Sequence, residues 1–324
     1  MPAAEGEFDQ CFGCLFVPRL IELASELDGL ALLGHAERAA VVAGVTETLV
    51  DTLRRKVSRL LVVELNVAAH NGALSAATPA GRWTEFLDRA SQPGFWRDLS
   101  THYPTLLPRL DTIVANRCAA GAELARRFAA DRAAIGAFLG NPGGELTAVS
   151  FGQGDSHRAG RSVAQLSLED GALIYKPRSL AVDAALDRFL EEVFDPPGGV
   201  HHRDRIRVPR VLVREGYGWS EFVEHRYCRT PEELHSYYTG IGHWLALARL
   251  FGTTDLHAEN LIAAGPRPVI VDCETLFTPW LRLASMGMGD ATDRALQRLY
   301  STVLLSGLLP DRGSELGWRG VDIS

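Results

Sequence analysis

Apolar residues recur three and four positions apart from residue 15 to about residue 140, the spacing of helices that bury one face. The run "ERAAVVAGVTETLVDTLRRKVSRLLVVELNVAAHNG" predicts one long helix that stops at Asn71-Gly72. A second predicted helix runs from about Leu106 to Leu139 and ends at "GNPGG", residues 140–144, where the Gly/Pro cluster marks a domain boundary. Beyond it the period changes. "ELTAVSF" (145–151), "RSVAQLSLE" (161–169) and "ALIYKP" (172–177) alternate like strands, with "GQGDSHRAG" a glycine-rich loop after the first and "EDG" a tight hairpin turn after the second. An amphipathic helix follows over 179–194 and is closed by "DPPGG". Two more strands flank Gly216-Tyr217-Gly218 within 205–224, and Thr230 caps a buried helix with Pro231 at its first position.

Polar residues then crowd into two short stretches, "TDLHAEN" (254–260) and "VIVDCETLF" (269–277), between apolar segments. Such density beside a core is costly unless mutual hydrogen bonds, metal or substrate compensate it. The order is strand, Gly-rich loop, strand, turn, strand ending in lysine, acidic helix, hinge, helix, Asp…Asn, strand, Asp. That is the order of parts in a protein-kinase-like phosphotransferase. Asp255 and Asn260 are five apart, the interval from a kinase's catalytic Asp to its magnesium-binding Asn, and Asp272 stands where the second metal-binding Asp belongs. Lys176 closes the third strand, where a kinase's lysine reaches the nucleotide phosphates. Glu191 and Glu192, on the next helix, could hold that lysine. ATP phosphates call for a fixed cation and for hard divalent ions bound through oxygen, a carboxylate such as Asp255 can accept a substrate hydroxyl's proton, and glycines at 152 and 154 let backbone N–H groups approach phosphate. Asp155 and His157 in the glycine loop, His257 after Asp255, and Glu274 in "DCE" exceed what plain phosphoryl transfer needs.

Charge and composition narrow the classes. Thirty-three Lys and Arg against 40 Asp and Glu leave a net charge of −7, which argues against nucleic-acid binding. The five cysteines are odd in number and scattered, so a secreted disulfide framework is not expected. "MPAAEGEFDQ" lacks the basic and apolar regions of a signal peptide, no apolar stretch is long enough to span a membrane, and a soluble cytoplasmic protein is expected.

Longer motifs carry a family resemblance. "GDSHRAGRSV" (154–163), "YKPRSL" (175–180), "GYGWSEFVEH" (216–225), "GTTDLHAENLIA" (252–263) and "PVIVDCETLF" (268–277) closely resemble the dehydratase domain of class II lanthipeptide synthetases. "CLFVPRL", "ELNVAAHNG" and "YPTLLPRL" resemble that family's N-terminal helical region, so the likeness runs from about residue 11 to the end. It implies an α+β chain: a helical region (1–142), then a lipid-kinase-like or protein-kinase-like bilobal domain with an N-lobe (143–224) and a partial C-lobe (225–324). It implies Mg-ATP-dependent phosphorylation of Ser and Thr in a ribosomal precursor peptide carrying a leader, then elimination of phosphate to dehydroamino acids. Carried over by motif, Lys176 contacts phosphate, Asp255 acts in phosphorylation, His257 supports its loop, and Asn260 and Asp272 hold magnesium. Asp155, His157 and Glu274 share the pocket, with Glu274 also beside the metal and His157 a candidate for elimination. Gly154, Asp155, Arg178 and Glu191 line the ATP side. The chain reads as truncated about 50 residues past "DCETLF". It holds no Cys/His set for the zinc site of the family's separate cyclase domain.

Two other functions stay open: a kinase-like phosphotransferase for a small molecule, and an inactive module that grips a peptide. Blander roles are expected elsewhere. Cys11, Cys14, Cys228 and Cys273 read as small buried hydrophobes, His243 as a core histidine, His235 as surface, and His201-His202 as a solvated loop. The arginines of "RRK" (54–56) and "ARR" (125–127) read as salt-bridged helix faces.

Overall fold

A computed structural model describes residues 8–140, 144–152, 160–194, 206–254, 256–277, 287, 289–300 and 302–309. The chain divides into two compact units, Met1–Pro177 and Arg178–Ser324. Helices and small antiparallel sheets make the fold α+β. Among the described residues, no helix is long and apolar enough to cross a membrane.

The first unit opens with α1 (Gly13–Asp28), α2 (His35–His70), α3 (Pro79–Ala90), α4 (Pro93–His102) and α5 (Leu106–Leu139). α2 buries Val41, Val45, Leu49, Leu53, Val57 and Leu61, four residues apart, so one continuous stripe faces the core. It ends at Asn71-Gly72, and α5 ends at Gly140 in the left-handed conformation that glycine adopts without penalty, both where the sequence predicts. Three strands follow: β1 (Leu146–Phe151), β2 (Ala164–Leu168) and β3 (Gly171–Lys176). They form an antiparallel meander, and Leu168 pairs with Gly171, so the predicted tight turn at "EDG" closes on Glu169 and Asp170.

α2 lies so close to β1 that a Cβ on Gly44 would stand 2.1 Å from the carbonyl oxygen of Val149. Alanine is the better helix former by about 1 kcal/mol, yet here it must push a strand away from a packed helix. Gly44→Ala is therefore expected to destabilise the protein by about 3 kcal/mol, seen as a lower urea midpoint. A higher midpoint would refute the close approach.

The second unit contains α6 (Ala181–Phe194), β4 (Val211–Arg214), β5 (Tyr217–Glu221), α7 (Pro231–Phe251), β6 (Leu261–Ala264), β7 (Arg267–Ile270) and α8 (Asp290–Tyr300). β4 and β5 form a hairpin around Gly216, as do β6 and β7 around Gly265-Pro266. The Thr230 hydroxyl accepts the Glu233 N–H at 3.2 Å, satisfying one of the unpaired donors at the start of α7. Tyr237, Ile241, Trp244 and Leu247 of α7 pack with Leu186, Leu190, Ile206 and Ile270. The Trp244 indole N–H donates to Pro268 O at 2.9 Å, so the one polar atom of that buried ring is satisfied.

Two expectations change. The strand ending in acids is shorter than its apolar pattern: β7 stops at Ile270, and Glu274 through Phe277 form a turn. Cys14 and Cys228 are half-buried, whereas Cys11, Cys118 and Cys273 are buried; all five are free thiols. Burial pushes the Cys11 thiol up to about 11, so it stays protonated and packs as a small hydrophobe. His235 is exposed on α7, and Arg54 and Arg55 pair with Asp51 on their helix face, as predicted. His201 and His202 lie outside the described residues.

Candidate functional site

In the second unit the polar stretches are gathered by backbone hydrogen bonds. Asn260 ends a 3-10 turn (Ala258–Asn260) whose unpaired N–H groups are met by His257: its Nδ1 accepts the Glu259 N–H at 3.3 Å, and its carbonyl accepts the Asn260 N–H at 2.9 Å. The Asn260 carbonyl in turn accepts the Val271 N–H at 3.0 Å. Because Leu261 pairs with Ile270, that bond continues the ladder of β6 and β7 by one step and sets Asn260 beside the residue preceding Asp272.

Three further bonds clamp the loop after α7. The Thr275 hydroxyl donates to Thr254 O, the Phe277 N–H donates to Phe251 O at 3.1 Å, and the Leu256 N–H donates to Ser306 O at 2.7 Å. Residues 254 and 256, on either side of Asp255, are thus each tied to a distant segment.

Arg178 is the electrostatic centre. Its guanidinium donates to Asp183 Oδ2 at 2.9 Å and to Asp272 Oδ1 at 2.6 Å, and its Nε lies 3.5 Å from Glu274 Oε2. Burial works against its charge, but Asp183, Asp272 and Glu274 outweigh that cost and raise its pKa. Asp183, 3% exposed in the first turn of α6, has this cation as a counter-charge.

Asp272 uses its two oxygens differently. Oδ1 accepts both the Arg178 guanidinium and the Glu274 N–H, the latter at 3.2 Å. Among the described residues no donor reaches Oδ2. No three His, Cys, Asp or Glu side chains cluster as a metal site among the described residues. Magnesium needs less, since it takes one or two carboxylates and completes its shell with water and phosphate oxygens. Asp272 Oδ2, the Glu274 carboxylate two residues on and the amide of Asn260, whose backbone pairs with Val271, are hard oxygen donors of the kind such a site would use.

The other predicted residues fall as follows. Lys176 ends β3 in the first unit and is buried. Glu191 is exposed on α6. Gly154, Asp155, His157 and Asp255 lie outside the described residues. Sequence reasoning missed Asp183, whose signal was an acid in the first turn of a helix five positions after an arginine. It also missed Thr275, which nothing in its neighbourhood marks.

A family model described as a domain of unknown function, DUF4135, matches residues 103–324. The chain belongs to the DUF4135 family. The matched DUF4135 region takes in α5, all the strands and both polar stretches. Over 275 residues this DUF4135 chain is also 24% identical to the Lacticin 481/lactococcin biosynthesis protein LcnDR2 of Lactococcus lactis subsp. lactis. That match covers 83% of this chain and 30% of the relative, so the chain spans less than a third of that protein's length. The DUF4135 chain is thus related to the class II lanthipeptide synthetases that its motifs resemble.

Proposed function

We propose that the chain is the dehydratase region of a lanthipeptide-modifying enzyme with a kinase-like bilobal architecture. It phosphorylates Ser and Thr of a precursor peptide with ATP and then eliminates the phosphate. The observation that carries this reading is an Asp272 Oδ1 fixed by two donors beside an Oδ2 that no described residue occupies, set one residue beyond the Asn260–Val271 bond. The relative named for lacticin 481 biosynthesis supports the peptide as substrate.

Magnesium, when bound, would neutralise charge on the ATP phosphates, with Asn260, Asp272 and Glu274 holding it. Arg178 orients Asp272 and Glu274 for that task and faces the cofactor with them. Lys176, buried at the end of β3, places an ammonium for phosphate contact, with Gly154 and Asp155 of the glycine loop and Glu191 of α6 completing the ATP side. Asp255 orients the substrate hydroxyl and accepts its proton, and the capped His257 turn holds that loop in shape. In elimination the Cα–H proton is removed, the Cβ–O bond breaks, and phosphate departs to leave a dehydroamino acid. His157 takes part in that step.

Mass spectrometry of a precursor peptide co-produced with the protein tests the reading. Loss of water from Ser and Thr is expected, and His157→Ala should accumulate phosphopeptide. Phosphate retained by the wild type without any dehydration would replace the dehydratase with a plain kinase. An unchanged peptide would leave only a binding module.

A further inference from the structure

The first unit holds a buried cation with no acid paired to it among the described residues. Arg117, on α5, is 9% exposed. One guanidinium nitrogen donates to Ser162 Oγ at 3.0 Å, and the Phe151 ring lies 5.4 Å from its Cζ. No carboxylate pairs with it among the described residues, and burial alone pulls its pKa down. A guanidinium carries five N–H donors and stays charged, so burial without a counter-charge is costly.

Ser162 adds an independent sign. It is 3% exposed, and its oxygen accepts both from Arg117 and from the Gly152 N–H at 3.1 Å. Both lone pairs are then engaged, which leaves the hydroxyl proton to be donated elsewhere. No described residue accepts it.

Both side chains line a cleft of about 620 Å³ whose wall also carries Arg55, Lys56 and Asn116. Arg55 is held by Asp51 at 3.0 Å, and among the described residues no other acid pairs with these cations. Three cations and a free hydroxyl proton suit an oxyanion with several acceptor oxygens and more than one negative charge. The guanidinium fork matches phosphate geometry in particular. The cleft is far larger than a bare phosphate ion and lies in the range of sites that hold ligands of about 300–1,000 Å³.

We propose that this cleft binds the phosphate group of a larger ligand, a phosphomonoester or phosphoanhydride, through Arg117, Ser162, Arg55 and Lys56. The binding needs neither magnesium nor turnover, so it stands or falls apart from the dehydratase reading.

Calorimetric titration of the full chain in magnesium-free buffer tests it, with a phosphoserine peptide, its unphosphorylated twin and ADP as probes. A phosphate-bearing probe should bind, the unphosphorylated peptide should not, and added salt should weaken the affinity. Arg55→Gln with Lys56→Gln, both at exposed positions, should reduce affinity about tenfold while circular dichroism stays unchanged. Arg117→Gln should abolish binding; if that variant misfolds, the exposed double variant still decides. Tighter binding of the phosphopeptide would assign the cleft to a modified peptide, and tighter binding of ADP to a nucleotide. Binding of neither phosphate probe, or equal affinity in the double variant, would overturn the proposal.

Discussion

Replacing Asp255 by Asn is expected to slow phosphoryl transfer to the precursor peptide by about 10³-fold, the scale on which a positioned base contributes. The substitution keeps the size of the side chain and removes its ability to accept a full proton. The loop should hold its shape, since its anchors lie at Thr254 and Leu256 and use backbone atoms. The comparison variant is Asp272→Asn. Its Oδ1 can still accept from Arg178 and from the Glu274 N–H, but the anionic oxygen for a hard cation is lost. Both variants should fold and leave Ser and Thr unmodified when the peptide is weighed by mass spectrometry. Asp272→Asn should also raise the magnesium concentration needed for half-maximal turnover. Near-normal turnover by Asp255→Asn would remove the base from the scheme.

Glu37→Ala should cost about 3 kcal/mol of stability. This carboxylate is 2% exposed near the start of α2 and serves three partners. It accepts the Gly34 N–H at 2.7 Å and the Leu146 N–H at 3.0 Å, and it pairs with Arg132. One side chain thus caps a helix, starts a strand and neutralises a cation on α5. Alanine leaves the Leu146 amide without its acceptor and Arg132 without its counter-charge, and a buried donor left unmade costs the full desolvation penalty. Leu146 should therefore lose protection in hydrogen exchange ahead of the rest of β1. Equal protection in the variant would show that the carboxylate is not needed there.

The same group sets an acid dependence. Burial raises the Glu37 pKa, but the Arg132 hydrogen bond and the Leu146 and Gly34 amides lower it further, so the net shift is downward. A carboxylate with a depressed folded pKa stabilises the fold above its unfolded value of about 4.3. That contribution is lost as pH falls from there through the folded pKa. Glu37→Ala should flatten this part of the stability profile below about pH 4.3, read from urea midpoints at stepped pH.

Local elements were legible because their causes lie within a turn or two of chain. The Asn71-Gly72 stop, the Gly140 cap and the Thr230 start rest on capping and on glycine's access to left-handed backbone. The change from helical to alternating period at residue 145 announced the strands for the same reason. β6 and α8 escaped notice: β6 has four residues, and α8 follows no capping signal of the kind that marks α7. The apolar pattern carries β7 on into the acids that follow it, because pattern alone does not say where pairing stops.

Sequence by itself determined the α+β class, the long helices α2, α5 and α7, the β1–β3 meander, and the motifs that tie the chain to the lanthipeptide synthetases. The tertiary structure alone decided the partners: Arg178 with Asp272, 94 residues apart, and Glu37 with Leu146, 109 residues apart. It also left Arg117 buried beside a serine, with no acid paired to it among the described residues. The reason is that capping and periodicity act through neighbouring residues, whereas the strength of an ion pair depends on separation and on how much water folding removes.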